Sequence, residues 1–325
     1  VTLDPQARSL LDRMAAFDEA LPPPPPDERE AVIAARDGFD RQSYELMGAA
    51  ETMGSIRDIE VSGPGGPLRV RVYTPALPLA EGTRRPGIAY AHGGGWLEGS
   101  LDSHDRLCRA LCNGSGAVLA AIDYRLAPEH PFPAAVEDCV AAVRWLHDSA
   151  AELDVDAGRL AVVGDSAGGN LMAVTARRLR DEGGPDLRLQ ALLYPATDAT
   201  MACASYRELD GDYGLTAEAM TRSWRMYLDG NDPADPDASP LHAQDLSGLP
   251  PALVLTCEYD LLRDEGERYA ERLREAGVTA TSIRWPGQAH GFVRWRGAID
   301  AAHDALEEVC QALSSALAEP APSPT

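Results

Sequence analysis

The chain reads as an α/β protein with an eight-stranded, mostly parallel sheet flanked by helices. Three observations carry that reading. Short β-rich runs alternate with longer amphipathic ones from about residue 55 to 318. The first two runs are joined by Gly63-Pro64-Gly65-Gly66, a turn cluster that makes an antiparallel hairpin. The fifth run passes through Gly164-Asp165-Ser166-Ala167-Gly168 into a helical stretch, so the chain turns sharply from strand to helix at a serine.

The elements follow in order. Residues 1–50 hold two amphipathic helical segments, over 5–19 and 27–47, separated by the five prolines 22–26, which read as a rigid spacer. Strands are expected over 56–62, 68–73, 87–91, 118–124, 160–164, 189–194, 252–257 and 279–285. Helices are expected near 101–113, 133–149, 166–182, 263–276 and 298–318, and their position between strands implies parallel crossovers. The helix at 133 begins with a proline in its first turn, where the missing N–H costs nothing. Residues 199–240 interrupt the alternation with a helix near 217–228 and the acidic, proline-containing loop 229–236. This region and residues 1–50 read as one helical cap over the sheet's carboxyl edge. The division is therefore 1–50 as an N-terminal cap segment and 51–325 as the main domain, with a cap insertion at about 199–240. The Pro/Ser/Ala-rich tail after Ala318 is expected to fray.

A hydrophobic content of 45% with 25% charged residues is that of a soluble globular protein. The net charge of −22 excludes nucleic acid and anionic membrane surfaces as natural partners, since their phosphates would be repelled. No stretch approaches the roughly 20 apolar residues of a membrane span. The start, Val1-Thr2-Leu3-Asp4-Pro5, lacks the basic and apolar parts of a signal peptide, which predicts a cytoplasmic protein. Six scattered cysteines without a Cys-x-x-Cys pair or a histidine cluster predict reduced thiols and no metal site.

Ser166 needs a base, because a hydroxyl in water is a poor nucleophile. Among seven histidines, His147 and His303 sit within helical patterns as surface residues. His290 lies in a loop just after the last strand, at the carboxyl edge where Ser166 also stands. Asp260, after the strand at 252–257, is the expected acid: Glu258 stands at that strand's end, and Asp264 and Glu265 open the next helix. The acid would hold the imidazole in its working tautomer. The strand at 87–91 ends in His92-Gly93-Gly94-Gly95-Trp96, where backbone N–H groups can approach a reacting carbonyl with no side chain in the way. A phosphate loop is excluded, because residues 93–98 break Gly-x-Gly-x-x-Gly at the last position and no Gly-Lys-Ser/Thr follows. The N–H of Ala167, next after the serine, is a further donor.

Taken together, His92-Gly93-Gly94-Gly95-Trp96, the stretch from Asp123-Tyr124-Arg125 to Phe132-Pro133-Ala134, Gly164-Asp165-Ser166-Ala167-Gly168-Gly169-Asn170, Asp260-Leu261-Leu262-Arg263-Asp264-Glu265-Gly266 and His290-Gly291-Phe292 closely resemble the hormone-sensitive lipase (His-Gly-Gly-Gly) branch of α/β-hydrolase carboxylesterases. The pieces stand in the family's order over about residues 55–315. The resemblance implies an α/β-hydrolase fold, Ser166 as nucleophile, Asp260 as acid, His290 as base, and Gly94, Gly95 and Ala167 as oxyanion donors. His92 and Gly93 enter as parts of the loop motif, His92 shaping the loop rather than doing chemistry. One departure is Leu261, where the family usually has proline.

The expected function is carboxylic ester hydrolysis through an acyl-enzyme, on small, short-chain esters, with no cofactor. Trp96, Tyr194 and Phe292, with cap residues such as Tyr213 or Trp224, are candidates for the pocket lining, although aromatic residues more often belong to the core. The alternative enzyme is a pathway-specific lactone, thioester or amide hydrolase, since one triad serves all of these. A reading of a different class is a non-catalytic small-molecule receptor. Such relatives lose the histidine, and here His290 is present. Exposed edge strands and helices are compatible with a homodimer.

Overall fold

The computed structural model describes residues 2–20, 24–79 and 82–318. Eight strands form one sheet: β1 (Ser55–Gly63), β2 (Gly66–Thr74), β3 (Arg85–Ala91), β4 (Val118–Ile122), β5 (Val155–Asp165), β6 (Leu187–Leu193), β7 (Ala252–Tyr259) and β8 (Ala280–Ala289). Their spatial order is β1-β2-β4-β3-β5-β6-β7-β8. The β1–β2 hairpin is antiparallel, as the turn cluster predicts, and β2 also meets β4 antiparallel. All later pairings are parallel.

The helices are α1 (Pro5–Glu19), α2 (Glu28–Leu46), α3 (Asp105–Ser115), α4 (Ala134–Asp148), α5 (Ala167–Asp181), α6 (Ser205–Glu208), α7 (Ala217–Leu228), α8 (Arg263–Glu275) and α9 (Ala301–Ala316). Side chains of the central strands alternate between two cores, as a pleated strand requires. Leu160 and Val162 of β5 join the core built with α4, α5 and α8, while Ala161 and Val163 join the one built with α3 and α9. Both faces are therefore buried, which is why these strands are continuous apolar runs.

Several boundaries differ from the sequence reading, among them those of the fourth, fifth and eighth strands. The fourth strand ends at Ile122 rather than at 124, because Tyr124 leaves the sheet and donates its hydroxyl to the His92 carbonyl at 2.7 Å. The fifth strand starts earlier, at Val155, beside Arg85 of β3. The eighth runs on to Ala289 and so delivers His290 at its end. Pro22, Pro23 and the tail beyond Ala318 lie outside the described residues.

Helices α2 and α7 are joined by ion pairs of Glu28 with Arg225 at 2.5 Å and of Arg29 with Asp229 at 3.4 Å. Arg36 of α2 reaches the loops at the sheet's carboxyl edge. It donates to the carbonyls of Leu97 and Ala127 at 2.8 and 3.0 Å and pairs with both oxygens of Glu129. Helix α1 is anchored beside β8, with the Asp4 N–H donating to Gly287 O at 2.8 Å. Among the described residues, no helix is long and apolar enough to cross a membrane.

Candidate active site

Ser166 occupies the bend between β5 and α5 at φ 55°, ψ −120°, a conformation a side-chain-bearing residue rarely adopts. The bend is held by the Ser166 N–H donating to Leu193 O at 2.8 Å and by its carbonyl accepting from Asn170 N at 3.1 Å. Gly168 makes the close approach possible. A Cβ there would lie 2.0 Å from the Ala91 carbonyl oxygen, a backbone atom that cannot swing aside. Gly168→Ala is thus expected to lower stability by roughly 1–3 kcal/mol through overpacking, read as a drop in the urea unfolding midpoint.

His290 bridges the serine and the acid. Its Nε2 lies 2.9 Å from Ser166 Oγ and its Nδ1 2.7 Å from Asp260 Oδ2. Asp260 is 2% exposed, and its other oxygen accepts the Leu262 N–H at 2.9 Å. That second bond fixes the carboxylate plane. Leu261, in the place of the family's proline, is buried and leaves this geometry in place. The other acidic residues nearby are engaged elsewhere. Glu258 accepts from Gly287 N at 2.7 Å, Asp264 from Ser205 N at 2.9 Å, and Glu265 from Thr197 N at 2.6 Å. Burial pushes the Glu265 carboxyl well above its usual range.

The glycine loop after β3 lies against the serine bend. The Gly93 N–H donates to Asp165 Oδ1 at 3.0 Å and is thereby occupied. Gly94 sits at φ +122°, with the space of a Cβ filled by the Glu98 carbonyl, and its own carbonyl accepts from Leu97 and Glu98. Among the described residues, no backbone hydrogen bond takes the N–H of Gly94, Gly95 or Ala167. His92 is buried, with Nδ1 2.8 Å from the Gly93 carbonyl and its ring stacked on Tyr124 at 4.4 Å. Burial, and then the neighbouring His104, push its pKa down to about 4, so His92 acts as a neutral prop.

Asp165 was not singled out by sequence reasoning. It is buried, and it accepts from Tyr90 Oη at 2.5 Å as well as from Gly93 N, with His104 Nε2 at 3.5 Å. Burial alone would push its pKa up. His104, Arg294 and the Tyr90 hydroxyl hold it below the usual carboxylate range. One ionised carboxylate thus ties the glycine loop to the residue preceding Ser166. Its only sequence signal was an acidic residue at the end of an otherwise apolar strand.

Beside His290 lies a cavity of about 500 Å³, bordered by α1, by Asp212, Gly214 and Leu215, and by the loop that follows β8. The three aromatic residues expected at the pocket separate here. Phe292 borders the cavity. Tyr194 is buried, with its ring edge-on to the His290 imidazole at 4.9 Å, and is not among the residues bordering the cavity. Trp96 is fully buried between Trp224 at 4.1 Å and Tyr227 at 4.4 Å, so it packs the glycine loop against α7 rather than facing the cavity. Met220, Trp224 and Tyr227 recur at helical spacing, and that apolar stripe is where Trp96 buries its area. Tyr213 packs near Tyr259 at 4.9 Å. Among the described residues, no cluster of His, Cys, Asp and Glu could hold a metal ion.

Fold and site together define an α/β hydrolase. A family model described as the alpha/beta hydrolase fold matches residues 88–294. The chain is 42% identical over 300 residues to carboxylic ester hydrolase LipN of Mycobacterium tuberculosis, covering 90% of this chain and 77% of that protein. It is 39% identical over 290 residues to an ethyl acetate hydrolase of Pseudomonas putida, covering 87% and 90%. A hyperthermophilic esterase from the archaeon Pyrobaculum calidifontis superposes with a TM-score of 0.89 at 44% identity, covering 98% of this chain and 100% of that one. The chain belongs to the hormone-sensitive-lipase-like family of α/β-hydrolase carboxylesterases.

Proposed function

We propose that this protein hydrolyses small, short-chain carboxylic esters by acyl transfer to Ser166. The observation that carries the reading is the single imidazole joining Ser166 Oγ and Asp260 Oδ2 at 2.9 and 2.7 Å. Ser166 attacks the ester carbonyl while His290 Nε2 takes its proton, and Asp260 stabilises the imidazolium. The N–H groups of Gly94, Gly95 and Ala167 receive the oxyanion. His290 then protonates the leaving alcohol, and water repeats the cycle to release the acid. The chemistry requires no metal or organic cofactor.

The short-chain preference is supported by the cavity of about 500 Å³ beside His290, of the size that takes small molecules. Helices α1 and α2 with residues 199–240 form the cap, a role supported by the α2–α7 ion pairs and by α1 along the cavity wall. A cytoplasmic site of action suits the six free thiols.

The test pairs a fluorophosphonate label with rates over p-nitrophenyl esters of rising chain length, beside lactones and amides. Labelling of the wild-type protein and a rate maximum among the shortest acyl chains are expected. A protein that stays unlabelled, or one whose fastest substrate is a lactone or an amide, would overturn the proposal.

A further inference from the structure

We infer that the cavity beside His290 is built for an ester that carries a carboxylate, which Arg294 binds. The inference rests on the acyl-transfer reading above and specifies the substrate class of that same site.

Arg294 closes the short turn that follows His290, and its N–H donates to Gly291 O at 3.1 Å. Arg294 borders the same cavity as His290 and is only 7% exposed. Its guanidinium is held rigidly, with Cζ 4.8 Å over the Phe39 ring, 4.6 Å over the Trp295 ring, and Nη2 donating to Ser43 Oγ at 2.6 Å. Two aromatic faces and a neutral hydroxyl are its only contacts among the described residues; the ionised Asp165 attracts it through space without bonding to it. Among the described residues, no carboxylate lies within ion-pair distance of Arg294, and its Nε is buried with no acceptor. Nη1 has no hydrogen-bond partner among the described residues either.

An arginine cannot shed its proton, and a buried one is normally paired with an anion. The missing acceptor therefore points to a ligand, and the planar fork of donors matches a carboxylate. The two acidic residues that border this cavity, Asp12 and Asp212, are exposed, where water and salt screen them. Arg294 is the buried charge there. A half-ester of a short dicarboxylic acid would place its free carboxylate on Arg294 while the ester carbonyl meets Ser166. A carboxylate on the alcohol side offers the same chemistry from the other end of the substrate.

Two pairs matched in carbon chain separate these sources at 0.15 M salt: monoethyl adipate against ethyl hexanoate for the acyl side, and 3-acetoxypropanoate against propyl acetate for the alcohol side. In the wild-type enzyme the anionic member of one pair is expected to show the higher kcat/KM, by about tenfold or more, through a lower KM. Arg294→Gln should collapse that ratio, and Arg294→Lys should restore part of it. If Arg294 served only to hold Asp165 ionised, Arg294→Gln would slow anionic and neutral esters alike and leave the ratio unchanged, which would overturn the inference. Should the variants not fold, the wild-type enzyme suffices. Adipate is expected to inhibit ethyl hexanoate hydrolysis competitively and adipamide is not; equal inhibition by both, or by neither, counts against an anion site. Failure of the wild-type enzyme on the neutral esters would instead overturn the acyl-transfer reading itself.

Discussion

Ser166→Ala is expected to lower kcat on p-nitrophenyl acetate by on the order of 10⁶-fold and to abolish fluorophosphonate labelling, with the unfolding midpoint left close to wild type. The size of the effect follows from the site's geometry. His290 has one hydroxyl to deprotonate, at 2.9 Å, and without it the imidazole can only activate water that is not positioned for attack. The residual rate would measure what the proposed oxyanion donors, the N–H groups of Gly94, Gly95 and Ala167, achieve unaided. Stability should change little, because the bend is held by backbone bonds of Ser166 to Leu193 and Asn170, which alanine keeps. Alanine must still adopt the positive φ of 55°, and the surrounding backbone enforces it. A variant that keeps more than a hundredth of wild-type turnover would remove Ser166 from the reaction.

Asp260→Asn is expected to lower kcat by about 10⁴-fold with little change in KM. Asn is nearly isosteric, so the bond from Leu262 N survives on the amide oxygen. The other end changes character. Asp260 Oδ2 accepts the Nδ1–H of His290 at 2.7 Å, which leaves Nε2 as the proton acceptor facing Ser166. An amide N–H at that place turns Nδ1 into the acceptor, so Nε2 carries the proton and cannot take one from the serine. The variant also loses the negative charge that stabilises the imidazolium. Measurement of kcat and of the labelling rate checks both. A loss of less than tenfold would place the orienting acid elsewhere, and Glu258 and Asp264 are already committed to Gly287 and Ser205.

The readable parts of this protein are those written in short stretches of chain. The central strands of the sheet announced themselves as apolar runs, because strands buried on both faces have no room for a polar alternation. The boundaries of α1 and α7 agree with the helical spacing to the residue. Ser166 was legible from two flanking glycines, both of which make a backbone approach that a Cβ would block. His290 and Asp260 were legible because each follows a strand, and the carboxyl ends of parallel strands converge on one edge. Where the reading failed, the cause was a competing partner far along the chain. Trp96 reads as a pocket residue beside the glycine loop, yet α7 offers it a closer fit between Trp224 and Tyr227.

Local pattern was therefore enough for the α/β layout, the glycine loop and the three residues that would do the chemistry. Those features depend on periodicity and on residue types within a few positions of one another. It was not enough for the set of bonds that brings them into register. Ser166 and His290 are 124 residues apart, and Asp165 joins Tyr90 across 75. Whether two such side chains meet at 3 Å or at 8 Å depends on packing summed over the whole domain. The same holds for Arg294. In the sequence it is one basic residue four places beyond a histidine, and only its burial between Phe39 and Trp295, with no carboxylate bonded to it among the described residues, gives it meaning.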